Sequence, residues 1–287
     1  ISASLVGSEM CIRDSHIALF YLFTSLIGCN NNSEYSKSDE LLNSGNQLFK
    51  LGKYKEALST YQEGVSHEST VILLSNIGTA YEELAELDSA EFYFRKAVNK
   101  DDNNAISLNN LAECLEIKNQ FEEALKYFNQ AIEVDENLSL LYINRGELYL
   151  EMRLYEQSRN DFDKALELDS MDALAYNNRA ELFEVTGDFN AAIQDLNKAL
   201  FLDSSYAIAY NNRGFLLKLL GQYENALIDY NFAIGLDSRQ GVFYLDRGIL
   251  KMEMGNMVAA CDDWVKAGNA GYDISSFQYL IDKYCQQ

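Results

Sequence analysis

Proline is absent from this chain, histidine occurs twice and tryptophan once, and only 23 lysines and arginines stand against 44 aspartates and glutamates. Each shortage excludes something. Proline ordinarily makes up about 5% of a chain, and its absence over 287 residues points to helices, whose interiors it breaks. A net charge of −21 lacks the clustered cations that phosphate backbones and anionic lipid surfaces attract, so nucleic acid is not an expected partner. Two histidines and five scattered cysteines leave little material for a metal site or a disulfide framework. The 48% apolar content is ample for a packed core and excludes general disorder.

Catalytic patterns are missing too. There is no glycine-rich phosphate loop, no G-x-S-x-G and no H-E-x-x-H. His67 falls in a turn with no cysteine or acid constellation near it in sequence. Cys114 and Cys261 sit at positions expected to pack, and Cys285 near the C-terminus has no metal-ligand spacing. No catalytic residue, metal ligand or cofactor is nominated, and the chain reads as a non-enzyme.

What is present begins with a leader. Residues 1–15 start on Ile1 and resemble translated sequencing-adapter read-through, so they are expected to be non-native. Residues 16–28 read as a signal peptide. The uncharged stretch from Ile17 to Gly28 is twelve residues long, against the ~20 that a membrane-spanning helix needs. Its end, Leu26-Ile27-Gly28-Cys29, resembles the bacterial lipobox. That resemblance implies cleavage before Cys29, diacylation of Cys29, a polar tether over 29–37, and contact with a membrane only through the lipid.

Beyond it the chain repeats. A small residue flanked by apolar ones recurs at Gly45, Gly78, Ala112, Gly146, Ala180, Gly214 and Gly248, at intervals of 33 and then 34. Twelve residues later come Ala57, Ala90, Ala124, Ser158, Ala192, Ala226 and Ala260; seven further on come Gly64, Ala97, Ala131, Ala165, Ala199, Ala233 and Ala267. With the first small residue numbered 8, the units start near 38, 71, 105, 139, 173, 207 and 241. Positions 4, 7, 8 and 11 share one helical face, positions 20, 24 and 27 another, and a break near 15 is often Gly. Each unit is therefore two antiparallel helices joined by a short turn.

The rows, as in Leu111-Ala112 with Phe121-Glu122-Glu123-Ala124-Leu125, Phe128 and Ala131-Ile132-Glu133-Val134-Asp135, resemble the tetratricopeptide repeat. The resemblance covers 38–271. It implies an all-α, right-handed α-solenoid of seven hairpins, closed by a capping helix within 272–287 that Asp273 starts and Ile274, Phe277, Leu280, Ile281 and Tyr284 face inward. The family's usual proline at position 32 is replaced by Ser69, Asp102, Glu136, Ser170, Ser204 and Ser238. The Ser and Asp residues of this column are expected to cap the next helix.

Two columns change together. Position 7 is Ser44, Ile77, Leu111, then Arg145, Arg179, Arg213 and Arg247; position 23 is Thr60, Tyr93, Tyr127, then Asp161, Asp195, Asp229 and Asp263. The joint switch predicts an Arg–Asp pair inside each of the last four repeats, structural in role.

Position 6 is Asn43, Asn76, Asn110, Asn144, Asn178 and Asn212, then Asp246. Asn favours helices poorly, so the row calls for a reason. The resemblance places this face on the concave groove of the repeat, where an amide can clamp the backbone of an extended peptide. A purely local polar role for each Asn stays open. Positions 9, 12 and 13 are acidic through the middle, with Glu82, Glu83, Glu113, Glu116, Glu147, Glu151, Glu181 and Glu184, and turn apolar late at Phe215, Leu219, Ile249 and Met252. The predicted ligand is a basic or neutral extended protein segment with an apolar anchor. The lysines of a chaperone-tail carboxylate clamp are missing from positions 2, 5 and 6. The expectation is a non-enzymatic protein–protein interaction scaffold in the bacterial cell envelope, lipid-anchored, or secreted or periplasmic without the lipid. The alternative is an accessory or regulatory subunit of an enzyme or envelope assembly complex, or a homo-oligomer.

Overall fold

The computed structural model describes residues 36–273, 275 and 278–285. The leader, signal peptide, Cys29, most of the tether, Ile274 and Phe277 lie outside the described residues. Among the described residues there are fifteen α-helices and no strand. The chain forms two compact units that meet in sequence at Ser170 and Met171. The first holds four hairpins: α1 (Lys37–Lys50) with α2 (Tyr54–His67), α3 (Val71–Glu83) with α4 (Leu87–Lys100), α5 (Ala105–Ile117) with α6 (Phe121–Val134), and α7 (Ser139–Glu151) with α8 (Tyr155–Leu168). The second holds three, α9 (Ala173–Val185) with α10 (Phe189–Leu202), α11 (Ala207–Leu219) with α12 (Tyr223–Leu236), and α13 (Gly241–Glu253) with α14 (Met257–Asn269), followed by α15 (Gln278–Tyr284). The terminal helix thus starts at Gln278, five residues after Asp273.

Within each unit the second helix of a hairpin packs on the first helix of the next, and first helices also touch one another, α3 with α5, α5 with α7, and α11 with α13. This is the solenoid that the period predicts. Its cause is the complement of small and large rows. Position 20 is fully buried in every repeat, from Ala57 to Ala260. Ser158 fits the same slot because its hydroxyl donates to the Gly146 carbonyl at 2.8 Å. Position 24 carries the bulk: Tyr61, Phe94, Phe128, Phe162, Leu196, Tyr230 and Trp264, all essentially inaccessible and worth about 1.5–3 kcal/mol each. At the last repeat a Cβ on Gly248 would lie 2.6 Å from the Trp264 ring, so the largest side chain requires the smallest neighbour.

Position 15 turns each hairpin in the left-handed region. Gly52, Gly187, Gly221 and Gly255 have φ between +71° and +85°, whereas Ala85, Asn119 and Arg153 adopt +59° without a glycine. Between hairpins the expected capping by position 32 is not what is found. Three of these helices are capped by the residue immediately before them, where a side chain can reach the free N–H groups: Thr70 accepts from Leu73 N, Asn104 from Ser107 N, and Asp172 from Leu174 N and Ala175 N; Leu138, Tyr206 and Gln240 make no such bond before the other three. The turn itself is held by an aspartate at position 31. Asp101, Asp135, Asp203 and Asp237 each accept the backbone N–H two residues on, at 2.8–3.1 Å. These Asx turns do locally what proline would do by restricting φ.

Candidate functional site

All four predicted Arg–Asp pairs form inside their own repeats, each through two N–H···O bonds. Distances are 2.7 and 2.7 Å for Arg145–Asp161, 2.7 and 2.9 Å for Arg179–Asp195, 2.7 and 2.7 Å for Arg213–Asp229, and 2.8 and 2.7 Å for Arg247–Asp263. The aspartates are buried. Two partners of these arginines escaped the sequence reading. The guanidinium of each lies over the ring of the tyrosine three residues earlier, Tyr142, Tyr176, Tyr210 or Tyr244, at 5.6–5.7 Å from the centroid. That position is Leu41, Leu74 and Leu108 in the repeats without arginine, a third column that switches with the other two. The remaining donor, Nη1, reaches the preceding repeat: Arg145 to Asn129, Arg213 to Asn197 and Arg247 to Asn231, at 2.6–2.7 Å. The arginines therefore join helices within a hairpin and hairpins to each other.

Burial and pairing compete at these carboxylates. Burial pushes the Asp161 carboxyl up, and its single cation, Arg145, does not cancel the effect. At Asp263 burial acts the same way, but bonds from both Arg247 and Lys251 hold the carboxyl below the ordinary range.

The asparagine row is not uniform. Asn43 is exposed, Asn76, Asn110 and Asn212 are half-buried, and Asn144 and Asn178 are buried. Several amides are engaged between repeats. Asn76 donates to Asn46 at 2.9 Å, Asn144 to Asn109 at 3.0 Å and Asn212 to Asn177 at 3.0 Å. Asn177 in turn donates to Asn178 at 3.2 Å. Asp246, which replaces Asn in the last repeat, accepts from Asn211 at 2.8 Å. The partner in the later repeats is position 5 of the preceding unit, so the row staples one hairpin to the next. For Asn76, Asn144 and Asn212 the local polar role left open by the sequence is the one the side-chain amide fills. Acceptor oxygens remain: Oδ1 of Asn110, Asn144 and Asn211 is buried without a hydrogen-bond partner.

The acids share the face unequally. Glu113 and Glu116 are buried, Glu82, Glu147, Glu181 and Glu184 half-buried, and Glu83 and Glu151 exposed. Asn109 donates to Glu113 at 2.7 Å. Burial, then the neighbouring Glu113 charge, pushes the Glu82 carboxyl well above its usual range. Burial, then Glu181 and Asp246, pushes Glu184 to about 7. Burial pushes Asp246 to about 6 against the pull of Asn211 and Lys218. Part of the formal charge is therefore neutral near pH 7. At the late end Phe215 and Ile249 are each 9% exposed, so neither presents the free apolar surface expected of it. Ile249 belongs to the core around Leu245 and Trp264, and Lys218 covers the Phe215 ring at 4.8 Å. Leu219, at 45% exposure, is the accessible apolar residue there.

The cysteines also depart from expectation. Cys114 is free and buried, but Cys261 and Cys285 form a disulfide with Cα atoms 5.4 Å apart. Among the described residues no group of His, Cys, Asp or Glu could hold a metal ion, and no helix is long and apolar enough to cross a membrane.

The comparisons agree with this architecture. Family models described as tetratricopeptide repeat match residues 73–104, 105–138, 140–170 and 207–240, and one described as TPR repeat matches 186–221. The chain belongs to the tetratricopeptide repeat family. Among solved structures it is similar to a tetratricopeptide repeat protein from Parabacteroides merdae, with a TM-score of 0.68, 22% identity, and coverage of 87% of this chain and 99% of that one. It is also similar to a chain of the APC/C hetero-tetramer Cut9-Hcn1, with a TM-score of 0.73, 14% identity, and coverage of 94% of this chain and 52% of that one. PilF of Pseudomonas aeruginosa aligns with a TM-score of 0.60 and 19% identity over 76% of this chain and 97% of its own. No curated protein matches the sequence. The fold is that of a protein–protein interaction scaffold.

Proposed function

We propose that this chain is a non-enzymatic scaffold that grips an extended, basic or neutral protein segment along the face of its first helices, and that it is exported and lipid-anchored at Cys29 in a bacterial envelope. The observation that carries the binding reading is the Asn110 side chain. It is half-buried on the acidic stretch of that face, and its Oδ1 has no hydrogen-bond partner. A buried acceptor left unpaired costs about 1–3 kcal/mol, and turning the half-buried Asn110 amide towards the face would let a backbone N–H of an extended segment relieve it. Glu83 and Glu151 lie exposed on the same set of helix positions and favour a cationic ligand. The Cys261–Cys285 disulfide supports export, because such bonds persist in oxidising compartments.

A photo-cross-linking amino acid placed at Asn110 or Leu219 is expected to trap a partner in envelope membranes, and one at Asn160, exposed on α8, is not. Equal adducts from all three positions would remove the groove reading. A Lys-rich extended peptide should bind more weakly as salt rises, and an acidic peptide with the same apolar anchor should not bind. Incorporation of a fatty-acid label should vanish in Cys29→Ala; label retained by that variant would remove the anchor.

A further inference from the structure

The last repeat ends in an unusual closure. After α14 the chain reverses at Gly271, with φ +86°, and Tyr272 N donates to the Ala267 carbonyl at 3.0 Å. Tyr272 passes so close to the start of α13 that a Cβ on Gly241 would lie 2.7 Å from the Tyr272 Cβ. The chain then forms α15, only seven residues long. Isolated helices shorter than about 12–15 residues are marginal in water. Gln278, Asp282, Lys283 and Tyr284 face solvent. Among the described side chains of this segment, Ile281 and Cys285 pack against the core of Leu245, Ile249, Ala260, Trp264 and Ala267. A helix of seven residues gains little stability from its own hydrogen bonds and depends on what ties it to the repeat. It is tied to α14 by the Cys261–Cys285 bond.

We infer that α15 is a disulfide-latched plug over the apolar end of the last repeat, opened by a dithiol. A thiolate of the reductant attacks one sulfur of the pair, giving a mixed disulfide and one free protein thiol. The reductant's second thiol then displaces the other protein sulfur. Two electrons and two protons pass to Cys261 and Cys285, and the reductant leaves as its own disulfide. With the bond broken, the helix undocks and the flank formed by Leu245, Ile249 and Trp264 is uncovered. Oxidised, the solenoid ends in a polar cover of the kind terminal repeats need.

Trp264 is the chain's single tryptophan and is fully buried in this cluster, so its emission reports on the plug. Dithiothreitol added to the full chain is expected to cut the hydrogen-exchange protection of 278–285 at least about tenfold and to shift Trp264 emission to the red, with α13 and α14 still protected. Cys285→Ser should reproduce that state without reductant. Protection of α15 that survives reduction or Cys285→Ser would mean packing holds the helix without the bond. Simultaneous loss of protection in α13 and α14 would make the disulfide a staple of the whole repeat. Either result overturns the latch.

Discussion

Arg145 holds Asp161 through two parallel hydrogen bonds of 2.7 Å, Nε to Oδ2 and Nη2 to Oδ1, with both groups largely shielded from water. Stranding either partner should be expensive, and removing both should not. Asp161→Ala is expected to cost about 3–5 kcal/mol by leaving a buried guanidinium unpaired. Changing Tyr142→Leu, Arg145→Leu and Asp161→Tyr together installs the set that repeat three carries at Leu108, Leu111 and Tyr127, and should cost less than about 1 kcal/mol. Urea unfolding would decide it; a triple variant as damaged as the single one would show that the three columns do not form one unit.

The asparagines should separate by role. Asn144→Ala removes the bond to Asn109 and should lower stability by about 1–2 kcal/mol. Asn110→Ala removes a side chain whose buried oxygen has no partner and should leave stability within about 0.5 kcal/mol while weakening peptide binding. Equal thermal shifts for the two variants would contradict this division.

Stability of repeats five to seven should fall as pH rises through the weakly acidic range. Glu184 titrates near 7 and Asp246 near 6 in the fold, against about 4 for unfolded carboxyls. Between pH 4 and 7 the folded unit therefore holds protons that the unfolded chain has released. The stabilisation is complete below pH 4 and is lost as pH rises through about 6 and 7, being gone by about pH 8, a change on the order of a few kcal/mol. Asp263, held low instead, contributes with the opposite sign and only at more acidic pH. Asp246→Asn with Glu184→Gln should flatten the slope between pH 5 and 8 and raise the urea midpoint at pH 8. A midpoint that climbs with pH in the unaltered chain would refute the assignment.

Three hairpin turns carry avoidable strain. Ala85 sits at φ +59°, where an L-residue costs about 1–2 kcal/mol. Glycine there adds unfolded-state entropy worth about 0.4–1 kcal/mol, so Ala85→Gly should be a net gain of about 0.5–1 kcal/mol. Thermal denaturation checks the sign, and a lower melting temperature would show that the turn is not strained.

Much of the fold was legible because its determinants are local. The 34-residue period, the small rows at 8, 20 and 27, and the turn at 15 place both helices of each hairpin with only helical geometry as input. The Arg–Asp pairs could be read for the same reason. Their sixteen-residue spacing lies within one hairpin, whose tight turn sets how the two helices face. The Asp row at 31 is equally visible in the sequence, but whether position 31 or 32 holds the turn depends on the backbone geometry there, which residue type alone does not carry.

The sequence by itself therefore determined the hairpin, its repetition and the pairing inside it. Only the tertiary structure decided what the hairpins do to each other. The bond from Asn144 to Asn109 joins position 6 to position 5 of the preceding repeat, and the contact from Arg145 to Asn129 joins position 7 to position 25. Both depend on the offset at which one hairpin stacks on the next, which periodicity does not carry. The same holds for Cys261 and Cys285: 24 residues apart, they meet because a short helix folds back on the last repeat, a contact that no spacing rule encodes.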